Sequence, residues 1–448
     1  MKIFFLSLGC DKNRVDSEYM LGHLANAAFE ITDDETEAEA IVINTCAFID
    51  AAKEESINAI LEMAQYKENG KCKVLIVCGC LAQRYREEII KEIPEVDACF
   101  GVMALDRITS AISEAMKGNA FMEFPSVEEK LGAPKAPAKR ILSTGGYFAY
   151  LKIAEGCDKH CTYCVIPSIR GPYRSVPMET LLDEAKDLAA HGVRELIIVA
   201  QETTRYGLDL YGEKRLPDLL DQLQMIDGLH WIRLLYCYPE EIDEALLDAM
   251  LRNDKVCHYL DMPIQHVNDR ILKRMGRRTT NQELREKIAL IREKIPDIAL
   301  RTTLICGFPG ETDDEHEEQM AFLDEMEFDR MGAFAYSQEE NTPAAMLPDQ
   351  IDDAVKEDRR NEAMALQQEV ILDANEARIG EHLEVMIEGE LPGEGVYIGR
   401  SYRDAPDVDG YVFVQNDRPL VSGDFIRVRI SGAWEYDLLG VIEDESAE

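Results

Sequence analysis

Residues 154–171 read AEGCDKHCTYCVIPSIRG, and this stretch decides how the rest of the chain is read. Cys157, Cys161 and Cys164 form a C-x3-C-x2-C loop directly after an apolar, strand-like run. Soft thiolates at that spacing can wrap a metal ion or an iron–sulfur cluster from a single loop. A tetrahedral zinc site calls for four protein ligands. No fourth Cys or His has the usual pairing here, and His160 is expected to point elsewhere in so tight a loop. Three ligands instead leave one iron of a cubane cluster open to a small molecule. Structural zinc is the remaining alternative.

Around the loop, β-prone apolar runs recur at intervals that leave room for helices. They are YFAYLKIAEG from Tyr147, ELIIVAQE from Glu195, WIRLLYCYP from Trp231, HYLDMPIQH from His258, ALRTTLICGFPG from Ala299 and MGAFAYSQEE from Met331. The clearest helix, METLLDEAKDLAAHG, stops at Gly192. Alternation of this kind predicts an α/β protein whose central domain is a partial (βα)6 barrel with its site at the carboxyl ends of the strands.

The amino-terminal residues show the same texture. MKIFFLSLGCDKNRVDSE has the outline of an export signal ending in a lipid-attachment cysteine. Its apolar run from Ile3 to Leu8 is nevertheless shorter than the roughly 7–15 residues such a signal needs, so a buried strand is expected. AIVINTC from Ala40 and KVLIVCGC from Lys73 repeat the pattern, giving an open parallel α/β domain. Each run ends at a thiol: Cys10, Cys46 and Cys80. Taken singly, each is a small buried apolar residue. At equivalent strand ends of one parallel sheet, however, all three would meet in the ligand crevice. Cys78 competes with Cys80, since residues two apart on a strand face the same way; Gly79 permits a turn that would free Cys80. Cys72 and Cys99 lack a strand-end setting.

Residues 121–145, with Pro134, Pro137 and Gly145-Gly146, read as a linker. Beyond a charged helical stretch, short β-prone runs from Glu381 onward predict a small all-β, OB-like barrel. The domains expected are therefore 1–120, 146–375 and 380–448. The chain carries 48 basic and 86 acidic residues, a formal net charge of −38. The barrel segment holds five Lys/Arg against sixteen Asp/Glu, poorly suited to gripping phosphates. A basic protein partner suits the chain better, although an acidic surface also serves solubility alone. No run approaches the 18 or so apolar residues of a membrane span, so no membrane association is expected, and the lack of an export signal leads to the expectation of a cytoplasmic location with reduced thiols.

At this point a resemblance enters. C-x3-C-x2-C after the first strand of a six-unit βα domain resembles the radical S-adenosylmethionine (SAM) superfamily. The stretches GCDKNRVDSE, EGCDKHCTYCVIPSIRG, YLDMPIQH, LICGFPGET and GRSYRDAPDVDGYVFV make the whole chain similar to its methylthiotransferases, which join an amino-terminal domain, a radical SAM domain and a terminal TRAM barrel. Within these it resembles the branch acting on an aspartate of ribosomal protein S twelve. The resemblance implies two 4Fe–4S clusters, one on Cys157, Cys161 and Cys164 that cleaves SAM, and one on Cys10, Cys46 and Cys80 that serves sulfur transfer; it selects Cys80 over Cys78. It further implies that Tyr163 packs near the SAM adenine, which loop packing explains equally well, that Glu202 binds the SAM amino group, and that Gly307, Gly310 and Glu311 border the nucleoside.

The chemistry so implied begins with hydrogen abstraction from the aspartate β-carbon, and needs an electron donor such as flavodoxin or ferredoxin. Transfer RNA adenosine is the alternative substrate, disfavoured by the acidic barrel. A non-catalytic iron–sulfur protein is the alternative of another class. His258, His266, Cys237, Cys257 and Cys306 read as packing groups, while Asp11, Arg14 and Asp16 are expected to line the cavity beside Cys10.

Overall fold

The computed structural model describes residues 1–127, 140–416 and 418–442. In the first part, β1 (Lys2–Ser7), β2 (Glu30–Thr32), β3 (Ala40–Thr45), β4 (Val74–Gly79), β5 (Ala98–Phe100) and β6 (Phe121–Glu123) form a parallel sheet ordered β2-β1-β3-β4-β5-β6. The central strands β3 and β4 are buried along their whole length and largely apolar, as strands covered on both faces must be. The chain turns one way from β1 to β2 and the other way to β3. The topological switch therefore falls between β1 and β3, where open parallel sheets hold their ligands. Register sets Ser7 opposite Asn44 and Thr45 opposite Gly79, which aligns the strand ends that precede the three thiols. β6 lies inside the stretch expected to be linker: Phe121 and Met122 pair with Ala98 and Cys99 and extend the sheet by one strand. The Pro-rich part of that stretch, 128–139, is outside the described residues.

The central sheet follows the expected six-unit pattern. β7 (Phe148–Lys152) leads into a two-residue ladder, β8 (Ala154–Glu155) with β9 (Arg174–Ser175), that closes the cysteine loop at its base. Then come β10 (Glu195–Val199), β11 (Trp231–Leu234), β12 (Val256–Asp261), β13 (Ala299–Cys306) and β14 (Arg330–Ala335). These strands and β7 stand in the order β14-β13-β12-β11-β10-β7, all parallel, so the sheet is an opened barrel. Its outer face and helices share one large apolar core. Its inner face packs Phe148, Tyr150, Trp231 and Tyr259 against Val15 of the helix Asp11–Asn26 and against Met386 and Ala405.

The last domain is a closed five-stranded barrel of β15 (His382–Leu391), β16 (Val396–Ser401), β17 (Val412–Gln415), β18 (Phe425–Trp434) and β19 (Asp437–Val441). Its 400–409 segment seats on the central sheet through buried ion pairs. Glu195 accepts from Arg233 Nε at 2.7 Å and from Arg400 Nη2 at 2.6 Å, Asp404 pairs with Arg330, and Tyr259 Oη donates to Asp409 at 2.7 Å. Two of the barrel's five arginines, Arg400 and Arg403, are thus used up in the seam. Among the described residues no helix is long and apolar enough to cross a membrane.

Candidate active site

The loop after β8 carries Cys157, Cys161 and Cys164 and borders a cavity of about 420 Å³. Cys161 and Cys164 line it, and so do Gln83, Arg84 and Arg86 from the opposite domain. His160, expected to point away, lines it as well. The loop is pinned from outside: Thr162 N–H donates to the Met275 carbonyl at 2.9 Å, and Ala344 N–H to the Thr162 carbonyl at 2.9 Å. Tyr238 Oη lies 3.8 Å from Cys161 Sγ, with the Arg277 guanidinium 4.3 Å from the Tyr238 ring centre. Burial pushes the Cys157 and Cys164 thiols up to about 12, and each is raised further by the neighbouring thiols, which places the three within electrostatic reach of one another.

The second trio assembles at the switch point of the first sheet. Cys10 is the N-cap residue of the 16-residue helix Asp11–Asn26. Cys46 follows β3, held by reciprocal hydrogen bonds of 3.0 Å with Ser56. Cys80 opens the helix Cys80–Tyr85 after Gly79 turns with φ +92°, as the sequence suggested. A Cβ on Gly9, at φ +86°, would stand 2.9 Å from Cys46 Sγ, so only glycine admits that thiol beside Cys10. Burial, then Cys80 and Cys10, push the Cys46 thiol up to about 12. Cys78 is separated from this crevice: it is fully buried behind β4 against Met20.

The other expected residues divide. Glu202, fully buried beyond β10, has no hydrogen-bond partner on either carboxylate oxygen among the described residues; Lys159 Nζ stands 3.6 Å away. Burial pushes its carboxyl up to about 7. Tyr163 is half-buried and packs with Phe308 and Tyr336. Glu311 is already engaged. It accepts from Gly307 N–H at 2.9 Å, Phe308 N–H at 3.1 Å and Arg359 Nη1 at 2.9 Å, and so shapes the Gly307–Gly310 turn rather than presenting a free carboxylate. Asp11 accepts from Lys12 and from Tyr236 Oη at 3.1 Å, Arg14 reaches Asp407 of the barrel at 3.1 Å, and Asp16 is buried in an ion-pair network. His266 Nδ1 accepts from Asn268 N–H at 3.0 Å with Nε2 3.4 Å from Glu311, and Cys237, Cys257 and Cys306 are buried in the core.

Sequence reasoning missed Lys152, Glu155 and Arg170. Glu155 and Arg170 lie in the quoted motif and Lys152 just before it, yet no spacing rule says that Arg170 reaches a thiol ninety residues back, its Nη2 3.4 Å from Cys80 Sγ. Despite burial, Arg170 and Lys152 hold the Glu155 carboxyl well below the usual carboxylate range.

An opened six-strand parallel barrel with three loop cysteines after its first strand defines a radical SAM protein, and residues 151–323 match the radical SAM superfamily. Residues 2–101 match the family described as Uncharacterized protein family UPF0004, and 379–442 the TRAM domain. Relatives narrow the class. The ribosomal protein uS12 methylthiotransferase RimO of Lachnoclostridium phytofermentans is 56% identical over 99% of this chain and 100% of its own length. Its namesakes from Desulforamulus reducens, at 51% over 98% of each chain, and Acetivibrio thermocellus, at 50% over 100% and 99%, agree. The chain belongs to the RimO family. In fold it is similar to the radical SAM methyltransferase TsrM of Kitasatospora setae, solved with cobalamin and a 4Fe–4S cluster: TM-score 0.55, 15% identity, over 77% of this chain and 74% of that one.

The residues present fit the cofactors of this class. Among the described residues no group of His, Cys, Asp or Glu is drawn tightly enough to hold a single metal ion. Within each trio the thiols act on one another electrostatically, Cys46 with Cys80 and Cys10 and Cys164 with Cys161 and Cys157, as ligands of one cluster would. The orphaned Glu202 carboxylate, beside the loop of Cys157, is a partner for an ammonium group.

Proposed function

We propose that this chain adds a methylthio group to the β-carbon of an aspartate in ribosomal protein uS12, the S twelve protein of the small subunit. It does so with SAM and two 4Fe–4S clusters, one held by Cys157, Cys161 and Cys164 and the other by Cys10, Cys46 and Cys80. The observation that carries this reading is the meeting of two thiol trios, each at the strand ends of its own parallel sheet. They are joined by the helix Ile166–Arg170, which starts two residues after Cys164 and ends in a side chain bonded to Cys80.

When bound, the SAM-cleaving centre supplies radical chemistry that side-chain bases, with pKa values of about 4 to 13, cannot perform. The chain's own residues bind and orient. Glu202 receives the SAM amino group. The Gly307–Gly310 turn, tied by Glu311, borders the nucleoside, and Tyr163 flanks the adenine. Tyr238 and Arg277 cover Cys161 and keep water from that side.

The acidic chain, at −38, suits a basic ribosomal protein and steers it by charge. The barrel opposes transfer RNA, because Arg400 and Arg403 are committed to the domain seam and acidic residues dominate what is left. A flavodoxin or ferredoxin supplies the electron, and the cytoplasm is the compartment in which uS12 is made.

The test is a competition. Anaerobically reconstituted protein, dithionite and SAM are incubated with uS12 and, separately, with transfer RNA, and both are read by mass spectrometry. Methylthio addition to uS12 is expected, and addition to RNA alone overturns the substrate. Deoxyadenosine release that Cys161→Ala abolishes is expected of the enzyme. No release from protein shown to hold its clusters leaves an electron-transfer or scaffold role.

A further inference from the structure

Arg170 is fully buried, and each of its two terminal nitrogens is spoken for. Nη1 donates to Asp16 at 2.7 Å and to both Glu155 oxygens at 3.1 and 3.2 Å. Nη2 donates to Asn13 Oδ1 at 3.2 Å and to Cys80 Sγ at 3.4 Å. Lys152 completes the group, pairing with Asp16 and donating to Glu155 at 2.8 Å. Two cations and two anions thus form a buried, formally neutral quartet. Asp16 comes from the helix that Cys10 caps, and the other three come from the strand, ladder and helix that frame the SAM-cleaving loop.

A buried ion network of this kind is a poor source of stability, because desolvating four charges consumes most of what their attraction returns. Apolar residues of similar volume would pack the seam at least as well. What they could not do is present a fixed donor to a sulfur. Asp16 and Glu155 hold one edge of the guanidinium, so its other edge is aimed at Cys80 and Asn13 with little rotational freedom.

We infer that Arg170 is a positioning residue for the cluster on Cys10, Cys46 and Cys80, donating to the Cys80 ligand and thereby raising the reduction potential of that cluster. Hydrogen bonds and positive charge at a ligand sulfur stabilise the reduced, more negative state. Removing the guanidinium leaves Asp16 and Glu155 with only Lys152, so the quartet gains a net negative charge and the potential falls. The inference rests on the ligand assignment proposed above, and it ties the two centres together. The helix that follows the SAM-cleaving loop also sets the electrostatics of the second cluster.

The test uses the full chain with Cys157, Cys161 and Cys164 replaced by Ala, reconstituted anaerobically so that only the second trio can load. Potentiometric titration followed by electron paramagnetic resonance compares Arg170, Arg170→Lys and Arg170→Gln. With iron and sulfide unchanged, Arg170→Gln should lower the reduced-to-oxidised ratio at fixed potential by about tenfold or more, the scale of a charge-assisted hydrogen bond. Arg170→Lys should fall between. In the protein with Arg170 intact and nitrogen-15 arginine incorporated, pulsed resonance of the reduced cluster should show a nitrogen-15 coupling, a readout that needs no variant to fold. A fully loaded cluster whose potential ignores residue 170, or one without that coupling, overturns the inference alone. Failure of any cluster to load with Arg170 intact overturns the ligand assignment, and the inference with it.

Discussion

Glu202 and Lys159 stand 3.6 Å apart, yet Lys159 donates its hydrogen bonds elsewhere, to Glu240 at 3.2 Å and Glu241 at 2.8 Å, leaving the Glu202 carboxylate charged-facing but unbonded. Burial pushes its carboxyl up to about 7, with Lys159 opposing. An ammonium partner prefers the ionised form. SAM affinity should therefore rise from about pH 6 to about pH 8, with proton release on binding, and Glu202→Gln should flatten the profile. The stability effect has the opposite sense. Because the folded pKa lies above the unfolded one, the ionised side chain costs stability above about 7, and the cost is relieved as pH falls from there towards the ordinary carboxylate value. Calorimetry in buffers of different ionisation enthalpy reads the proton; equal SAM affinity at both pH values would remove Glu202 from the amino-group site.

Gly79→Ala should strip the second cluster selectively. At φ +92° an added Cβ would stand 2.2 Å from Asn44 Oδ1 and 2.7 Å from the Thr45 carbonyl, so the turn that releases Cys80 from β4 must shift. Iron per chain should fall from about eight to about four, while reductive release of deoxyadenosine continues. Iron and sulfide analysis, with chromatography of the nucleoside, checks both halves.

Cys78 and Cys80 should separate cleanly. Cys78→Ala trims a fully buried thiol in the sheet core and is expected to cost about 1 kcal/mol or somewhat more, with iron content unchanged. Cys80→Ala should leave stability of the apo-protein nearly intact and abolish loading of the second cluster. Equal iron loss in both variants would contradict the separation of the two side chains across β4.

Glu195→Gln should loosen the seam between barrel and central domain. Glu195 is wholly buried between Arg233 and Arg400, and the change strips the buried Arg233 of its carboxylate partner and leaves Arg400 with Glu388 alone. Breaking a buried network in this way costs about 3–5 kcal/mol. Urea unfolding should show a separate early transition, and limited proteolysis should release a fragment near residue 380.

Much of this was legible beforehand. The runs that end in Cys10, Cys46 and Cys80 are strands with those thiols just beyond them, and Gly79 makes the turn expected of it. Six runs in the central domain gave six parallel strands, since apolar β-prone segments spaced by helices admit few other arrangements. Five short strands escaped notice: β2, β5, β6, β9 and β19. β6 sits in a segment whose prolines and glycines mark a loop, and β19 follows a tight turn in which Glu435 takes φ +46°. β6 is held by pairing with β5 at the sheet edge and β19 by pairing with both β17 and β18, not by patterns of their own. Glu311 was legible only as part of a glycine turn. Its carboxylate is spent on the backbone of that turn and on Arg359, a residue supplied from a distant helix.

By itself the sequence determined the strands, the order of the thiols and the spacing of the loop, because period, apolar runs and turn residues are local properties of the chain. Only the tertiary structure decided that residues of both domains line one cavity, that Arg170 touches Cys80, and that Asp16 and Lys152 share one buried network. The physical reason is that a contact between residues 80 and 170 is fixed by how two sheets pack across a seam, and an arginine carries no local signal for which buried partner it will meet.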